Sequence, residues 1–526
     1  MKQLDDGTLI SKVRAIDDAR ISRTNEATRL AESLVTPSFE FPGRVAEEFA
    51  RLCDTGWTDQ GVFHPARAMP ELSLSLDDLW AAYRRVPARE NNFSVVVIWS
   101  VKLKDCRYFA VYGHNFGLTS AVLNFNRVAD SISVLSRVFG ACACDHFFDD
   151  YMNICTDTGI IHVTDPGFRG HVSSSQWFLD EMHDMLGMRL EPKKRKLASG
   201  ENIALGVNVN ISEAASGRRV SFKPTPERAG AILHTMEQAK TADYMPPRTA
   251  AEILGRLNFL LCSGAYHSCG RAATQPLVSR CCGLGRSKVN RGPTHFTTAM
   301  GSMLKFFTAL FLDLPPLVIK LGVQEDPKVL VYTDASYAKN KLDNKVRRKG
   351  LGIIIVDCKN GNVFRSRLDC PTWFLRQLEE RDTQIAVLEL LAVLCAVFTF
   401  PDILFGRQAL FFIDNTQALS SAIHGYTRNL DCAPLSNLLH LSLAALQVTP
   451  WFDFVPSKAN CADLPSREEG DEERAFYAKR KAKPRAMRVP SLDDLHSPSM
   501  RAIGRLAHDS FGCLKDKFDK KGKGRT

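Results

Sequence analysis

Two adjacent carboxylates follow two aromatic residues in the segment Phe147-Phe148-Asp149-Asp150-Tyr151, and a third carboxylate, Asp78, lies upstream. Carboxylates on rigid neighbouring elements can hold two divalent metal ions, and two ions together stabilise the attacking and leaving oxygens of a phosphoryl transfer. The dipeptide alone is weak evidence, because the chain contains five Asp-Asp pairs and an isolated pair is usually a solvated turn. The surrounding sequence has to distinguish this pair.

Hydropathy patterns place these carboxylates at the ends of neighbouring elements. Residues 72–76 alternate between apolar and polar, and the spacing becomes helical after Asp78, which predicts a strand running into a helix. Residues 120–139 carry apolar side chains on one helical face, and residues 142–155 predict a hairpin with Asp149 and Asp150 at its turn. We therefore expect the three carboxylates to meet at one end of a sheet.

Further residues in this region could act on a nucleotide. Tyr83 lies one helical turn beyond Asp78, where its ring could pack beneath an incoming sugar and exclude a ribose 2′-OH, or could be a core aromatic. Gly117, after Phe116, would allow backbone to approach a template or nucleotide closely. Lys194 could neutralise or protonate leaving phosphate oxygens, or could belong to the solvated basic run 193–196.

Two cations near the start of the chain, Lys12 and Arg14, could hold triphosphate oxygens. Together with Tyr83, Phe116, Gly117 and Lys194 they form the predicted nucleotide-binding set.

A second group of carboxylates lies downstream. Asp334 and Asp414 each end an apolar strand, and Asp463 lies in a C-terminal segment. Glu389 interrupts the apolar run Ala-Val-Leu-Glu-Leu-Leu-Ala-Val-Leu, where a carboxylate is costly to bury unless it binds a cation or has partners. Four such groups can coordinate two metal ions. The alternative is a solvent-edge Glu with two strand-end caps.

In their order along the chain, the first motifs resemble those of reverse transcriptases. Residues 12–25 resemble the fingers strand, residues 78–86 the first palm motif, and residues 116–127 the palm helix. Residues 147–151 resemble the catalytic aromatic-x-Asp-Asp hairpin, and residues 190–194 and 205–206 the motifs that close the palm. The residues that make up these motifs look most like those of DIRS-like retrotransposon polymerases, and next most like those of gypsy-like elements. The resemblance implies an α+β palm and fingers with a helical thumb.

The downstream set is similar to type-one ribonuclease H, an α/β domain, and the ending Asn-x-Ala-Asp-x-x-Ser-Arg resembles the version attached to retroelement polymerases. Together the two resemblances imply an RNA-directed DNA polymerase with an attached ribonuclease H. The implied partners are an RNA template, a DNA primer, an RNA–DNA hybrid and dNTPs. The implied cofactor is Mg²⁺, two ions per active site, with Mn²⁺ as an alternative.

This chain departs from the family patterns at several positions. Asn115 replaces the usual Pro before Phe-Gly, Ala121-Val122 replaces Ala-Pro, and Phe147 replaces Tyr. The loop 455–458 lacks the His that cellular ribonucleases H place before their last Asp. No departure removes a metal ligand. The resemblance also begins almost inside the fingers, which leads us to expect a missing N-terminal portion.

Composition bounds the remaining expectations. The formal net charge is +10, but residues 471–526 carry fifteen Lys and Arg against eight Asp and Glu, so most of the excess lies in this tail. The tail is expected to be mostly disordered, either as a nuclear-localisation or nucleic-acid arm or as a linker. Scattered cysteines, no signal peptide and no long apolar run predict an intracellular protein of the cytoplasm or nucleus with no membrane association.

The sequence therefore predicts four regions. Residues 1–215 form fingers and palm, 216–325 a helical thumb or connection, 326–467 the ribonuclease H-like domain, and 468–526 the basic tail. The competing interpretation is a decayed or domesticated element copy that binds nucleic acid without catalysis. In a third interpretation only the ribonuclease H is active, and the polymerase region acts as a clamp. The oligomeric state is not specified by the sequence.

Overall fold

A computed structural model describes residues 2–3, 9–10, 23–29, 33–34, 36, 40–87, 95–115, 117–156, 159–165, 168–262, 269–282, 294–313, 316–322, 328–339, 346–427, 429–467 and 471–496. The chain forms two compact units, one of residues 1–222 with 318–323 and the other of residues 223–317 with 324–526. The helical segment 223–317 thus groups with the second unit. Within the described ranges, no helix is both long and apolar enough to cross a membrane.

The first unit is built from antiparallel strands and a few helices. Its helices are α1 (Thr24–Ala27), α2 (Phe41–Thr55), α3 (Ala82–Arg85), α4 (Thr119–Gly140) and α5 (Ser174–Met185). Its strands are β1 (Lys2–Gln3), β2 (Leu9–Ile10), β3 (Trp57–Asp59), β4 (Val62–His64), β5 (Ser73–Asp78), β6 (Val95–Ser100), β7 (Asp105–Ala110), β8 (Ala143–Phe147), β9 (Asp150–Cys155), β10 (Ile160–Asp165), β11 (Phe168–Ser173), β12 (Lys196–Ser199), β13 (Glu201–Ala204), β14 (Val207–Asn210), β15 (Arg219–Pro224) and β16 (Leu317–Lys320).

The central sheet of this unit has the strand order β12-β5-β9-β8, and a second four-stranded sheet has the order β13-β14-β15-β16. The hairpin predicted at 142–155 is observed as β8 and β9, and the helix predicted at 120–139 as α4. Side chains from α4, α5 and the sheet form one buried cluster that includes Leu79, Phe125 and Tyr151. This core fixes the sheet end that carries the first group of carboxylates.

The second unit combines a mixed sheet with helices. Its helices are α6 (Pro226–Thr241), α7 (Pro247–Cys262), α8 (Gln275–Cys282), α9 (Thr298–Asp313), α10 (Thr372–Leu375), α11 (Ile385–Thr399), α12 (Pro401–Leu404), α13 (Thr416–His424), α14 (Cys432–Ala445), α15 (Asp463–Ser466), α16 (Asp471–Arg480) and α17 (Leu492–His496). Its strands are β17 (Val329–Ala335), β18 (Ala338–Lys339), β19 (Val346–Arg348), β20 (Gly350–Asp357), β21 (Asn362–Asp369), β22 (Gln408–Ile413), β23 (Thr449–Phe454) and β24 (Lys483–Pro484).

The main sheet of the second unit has the order β23-β22-β17-β20-β21-β24. β17 and β20 are antiparallel, whereas β17 and β22 are parallel neighbours and so end at the same edge. Helix α11 is apolar on all sides except at Glu389, and its residues 386–399 are all buried. A helix of this kind belongs in a core, and α11 packs on β17.

The disorder expected from residue 468 onward is wrong for residues 471–496. There α16 is followed by β24, which adds a parallel strand to β21. Tyr477 is buried, and its ring lies beneath the Arg365 guanidinium at 4.0 Å from the ring centroid. The guanidinium of Arg485 pairs with Asp402 at 2.6 Å and lies over Phe400. These few contacts order a segment that its basic composition alone predicts to be disordered.

Candidate active sites

The first candidate site lies at one end of the β5–β9 pair. The two strands are antiparallel and place Asp78 directly opposite Asp150. Asp149 occupies the turn between β8 and β9, and its carbonyl oxygen accepts a hydrogen bond of 2.9 Å from the Leu79 amide. Asp78 and Asp150 thus lie at paired positions of neighbouring strands, and Asp149 lies in the turn beside them.

The turn that carries Asp149 is fixed by a buried histidine, His146. Phe148 has a φ of 54°, in the left-handed region that non-glycine residues seldom adopt. Its carbonyl oxygen lies 3.0 Å from Nδ1 of His146, whose Nε2 lies 2.9 Å from Oδ1 of Asp130. His146 is buried. A strained turn persists where its surroundings fix it, and such turns cluster at functional sites.

The surroundings of Asp150 disfavour its ionised form. Burial, together with the negative charges of Asp149 and Asp78 and against the opposing effect of Lys194, raises the pKa of Asp150 to about 6. Ionised carboxylates crowded in this way gain from a divalent cation, which offsets their mutual repulsion. Their oxygens are also the ligand type that Mg²⁺ prefers.

Lys194 contacts this cluster, as its predicted role requires. It ends a short 3₁₀ helix, Pro192–Lys194, and its ammonium forms an ion pair with Oδ1 of Asp78. The amide of Glu191, just before this helix, donates to the carbonyl oxygen of Asp78 at 2.8 Å. Lys194 thus combines an ion pair to Asp78 with a half-exposed side chain, and its role at the leaving phosphate stays a prediction.

Tyr83 lies on α3, which follows β5. Its ring packs on Phe125 with centroids 4.8 Å apart, and burial together with the charge of Asp149 raises the pKa of its hydroxyl. The structure thus shows Tyr83 as a packed aromatic whose hydroxyl senses the charge of Asp149, and its role in selecting deoxyribose stays a prediction.

The approach to α4 contains Gly117, whose φ of 94° is suited to glycine. Asn25 joins this segment at both ends: its amide donates to the Gly117 carbonyl at 2.8 Å, and its Oδ1 accepts from the Thr119 amide at 2.9 Å. Asn115, which replaces the usual Pro, accepts a hydrogen bond of 2.6 Å from Arg84. Sequence reasoning assigned no site role to Asn25 or Arg84. The predicted residues Lys12, Arg14 and Phe116 lie outside the described residues.

The second candidate site lies where β17, β22 and α11 meet. Asp334, Glu389 and Asp414 each offer one carboxylate oxygen, and these three atoms lie within 4.8 Å of one another. Asp334 and Asp414 come together because β17 and β22 are parallel neighbours that end at the same edge. Three of the four predicted carboxylates thus form one cluster.

Glu389 is the most buried of the three, with 2% of its surface exposed. Its Oε1 accepts a hydrogen bond of 3.0 Å from the Ala335 amide, whereas Oε2 is buried and no hydrogen-bond donor among the described residues reaches it. Burial, with the charges of Asp334 and Asp414, raises the pKa of Glu389 well above its ordinary value. A cation would satisfy both the unpaired oxygen and the excess negative charge, so these residues fit a divalent metal ion.

Asp463 adjoins this trio as the first residue of α15. Burial, with smaller contributions from the negative charges of Asp414 and Asp463, raises the pKa of Asp334 to about 7. Asp463 also forms an ion pair of 2.6 Å with Arg467. The fourth predicted carboxylate is thus close enough to influence the cluster while holding a partner of its own.

Two glycines of β20 allow α15 to approach the sheet. A Cβ at Gly350 would lie 2.0 Å from the Ser466 carbonyl oxygen, and one at Gly352 would lie 2.5 Å from the Ala462 carbonyl oxygen. Asn460 fixes the same segment by donating to the Thr333 carbonyl at 2.9 Å. These residues position Asp463, and sequence reasoning missed the role of the glycines because it depends on contacts across 110 or more residues.

Comparisons with known proteins add a distant likeness in shape. No protein-family model matches the chain, and no curated protein matches it. Among solved structures, the chain is similar to a foamy viral protease-reverse transcriptase in complex with double-stranded DNA, with a TM-score of 0.37 and 14% identity. The match covers 84% of this chain and 62% of that chain, so this protein spans less than two thirds of the length of its structural neighbour.

Proposed function

We propose that this chain is an RNA-directed DNA polymerase of a retroelement with an attached ribonuclease H. The observation that carries the proposal is that carboxylates gather at the ends of neighbouring strands in two separate places. Asp334, Glu389 and Asp414 bring oxygens within 4.8 Å of one another, with Asp463 beside them. Asp78 and Asp150 are paired across β5 and β9, and Asp149 in the adjoining turn is electrostatically coupled to Asp150. Two-metal phosphoryl chemistry requires this kind of constellation.

In the polymerase site, Asp78, Asp149 and Asp150 would hold Mg²⁺, two ions in the full site, with Mn²⁺ as an alternative. When bound, the ions supply charge neutralisation and polarisation of phosphate oxygens. We assign Tyr83 to exclusion of a ribose 2′-OH, because it follows Asp78 on α3 and its hydroxyl senses the charge of Asp149. Lys194, which pairs with Asp78, is assigned to the leaving phosphate. Lys12, Arg14, Phe116 and Gly117 complete the proposed nucleotide-binding set.

In the nuclease site, Asp334, Glu389, Asp414 and Asp463 would hold the metal ions, which lower the pKa of bound water. Glu389 is fixed by the Ala335 amide, so its free oxygen faces the cluster in a defined direction. The substrate is the RNA strand of an RNA–DNA hybrid. Recognition through phosphates and A-like shape predicts binding that weakens as salt increases.

A separation-of-function experiment tests the proposal. Primer extension on an RNA template and cleavage of a labelled RNA–DNA hybrid are measured with Mg²⁺ and with EDTA, for the unmodified chain, Asp149→Asn and Glu389→Gln. The first variant should lose extension but retain cleavage, and the second should do the reverse. Glu380→Gln, which changes an exposed carboxylate nearby in sequence, is the matched control and should retain both activities. A chain that binds these substrates equally in EDTA and converts neither contradicts the proposal.

A further inference from the structure

Two consecutive ion pairs join the end of β5 to the segment that carries Lys194. Asp78 pairs with Lys194, and its neighbour Asp77 pairs with Arg195, whose Nε lies 3.1 Å from Oδ1 of Asp77. Successive residues of a strand point to opposite faces of the sheet. The pair Asp78–Lys194 therefore faces the candidate site, whereas Asp77–Arg195 faces the interior.

The inner pair is almost completely buried. The side chains of Arg195 and Asp77 are 1% and 2% exposed, compared with 50% for Lys194. Gln176 donates to the second oxygen of Asp77 at 2.9 Å, and Asp180 forms a further ion pair with Arg195. Both oxygens of Asp77 thus have donors, as a buried carboxylate requires.

The same network fixes the backbone on both sides of Lys194. Gln176 also donates to the carbonyl of Lys196 at 3.1 Å, and Lys196 pairs with Leu76 across the β12–β5 ladder. On the other side, the Glu191 amide is bonded to Asp78. Lys194 therefore lies between two backbone segments that are each joined to β5.

Stability alone does not account for this arrangement. Removing two charges from water is costly, and well-packed apolar residues often stabilise such a location as well or better. An Arg that donates to two carboxylates, as Arg195 does to Asp77 and Asp180, has a fixed direction, because the planar guanidinium can satisfy both partners in few orientations. The fixed direction of Arg195 constrains most strongly its immediate neighbours in the chain, and the preceding residue is Lys194.

We propose that Arg195, held by Asp77, Asp180 and Gln176, is a positioning residue for the polymerase reaction and acts by aiming Lys194. The proposal rests on the polymerase function proposed above. Arg195 itself is buried on the interior face and acts only through its neighbour.

A double-mutant cycle tests this dependence. Extension on an RNA template is measured for Lys194→Ala, Arg195→Met and the double variant. Loss of a positioned proton donor lowers kcat by about 100-fold or more, so Lys194→Ala should show this loss. Arg195→Met should lower kcat by about tenfold or more with little change in the dNTP KM, and the double variant should match Lys194→Ala. If Arg195→Met lowers kcat by the same factor in both backgrounds, Arg195 does not act through Lys194 and the proposal is overturned.

A second readout needs no polymerase activity. The rate at which an amine-acylating reagent modifies Lys194 is followed by peptide mass spectrometry, because an ammonium held in an ion pair reacts slowly. Arg195→Met should increase this rate several-fold, and an unchanged rate contradicts the proposal. Arg189→Met, which breaks an exposed pair with Asp184 nearby in sequence, should change neither the rate of primer extension nor the rate of Lys194 acylation. If the unmodified chain fails to extend primers, the polymerase proposal falls and the acylation rates still decide the positioning claim.

Discussion

Asp78 and Asp150 are direct partners across the β5–β9 ladder, and the charge of Asp78 contributes to raising the pKa of Asp150 to about 6. The register of the β5–β9 pair therefore influences the protonation of a proposed metal ligand. Because the register places the two carboxylates opposite each other at a partly buried sheet end, the ionised form of Asp150 is disfavoured, and a divalent cation would offset this effect.

The first prediction concerns pH. Asp150 is mainly protonated below its pKa of about 6 and ionised above it, and only the ionised form holds a metal ion well. Extension should therefore decline as the pH falls through about 6. Because protons and Mg²⁺ compete for the carboxylate, the midpoint should move to lower pH as the Mg²⁺ concentration increases. A rate that is flat well below pH 6, or a midpoint insensitive to Mg²⁺, contradicts this account.

The second prediction concerns the stability of the nuclease cluster. Asp334 has a pKa raised to about 7, so between its ordinary value and about 7 the folded state binds more protons than the unfolded state. Stability should fall as the pH rises through this window. In EDTA above pH 7, Asp334→Asn should therefore raise the Tm, by about 2–4 °C for each kcal/mol removed of the cost of burying this charge beside Asp414 and Asp463. In Mg²⁺ the same variant should lose hybrid cleavage.

Thermal unfolding across pH checks this expectation. The stabilisation should vanish in acid, where Asp334 is protonated in both states. Asp369→Asn, a change at an exposed position on β21, is the matched control and should leave the Tm nearly unchanged. An Asp334→Asn variant that is less stable than the unmodified chain above pH 7 contradicts the assignment of mutual repulsion.

The third prediction concerns the close contact between β20 and α15. Gly352→Ala places a methyl group 2.5 Å from backbone atoms of Ala462 and Ser466, which cannot move aside as a flexible side chain could. Such overpacking costs about 1–3 kcal/mol, and displacement of α15 moves Asp463. Hybrid cleavage should fall while primer extension is retained. Gly230→Ala, at an open position on helix α6, should preserve cleavage and increase stability slightly.

The fourth prediction concerns the ordered part of the tail. A chain that ends at residue 470 loses β24, the buried Tyr477 ring and the Arg485–Asp402 pair, which lies beside the C-terminal end of α11. Burial of one large side chain contributes about 1.5–3 kcal/mol, so the second unit should lose at least about 2 kcal/mol. A chain ending at residue 496 should melt like the full chain. Equal stability of the two truncated chains would show that the tail contributes nothing to this unit.

Some features of the fold and sites follow from local sequence. Asp149 and Asp150 could be placed at a hairpin turn because strand and helix periodicities flank them closely. Glu389 could be identified because a single charge interrupts an apolar helix. In each case the informative residues are near neighbours in the chain, and their pattern depends on the period of one element.

Other features depend on contacts that no local pattern contains. The Asp77–Arg195 pair spans 118 positions, and a charged residue in a basic run predicts exposure, not burial. β23 was not predicted, because residues 449–454 combine Pro450 with exposed aromatics and lack clear alternation. The ordered tail was missed because three or four specific contacts outweigh its basic composition.

The central claim is that the Asp78, Asp149 and Asp150 cluster catalyses DNA synthesis on an RNA template. The most direct measurement is extension of a DNA primer on an RNA template in Mg²⁺ by the unmodified chain and by Asp149→Asn, with hybrid cleavage recorded on the same preparations. We predict extension by the unmodified chain, and a loss of about 100-fold or more in Asp149→Asn, because removal of a metal ligand forfeits several kcal/mol of transition-state stabilisation. Hybrid cleavage should be unchanged. Full extension by Asp149→Asn would contradict the account.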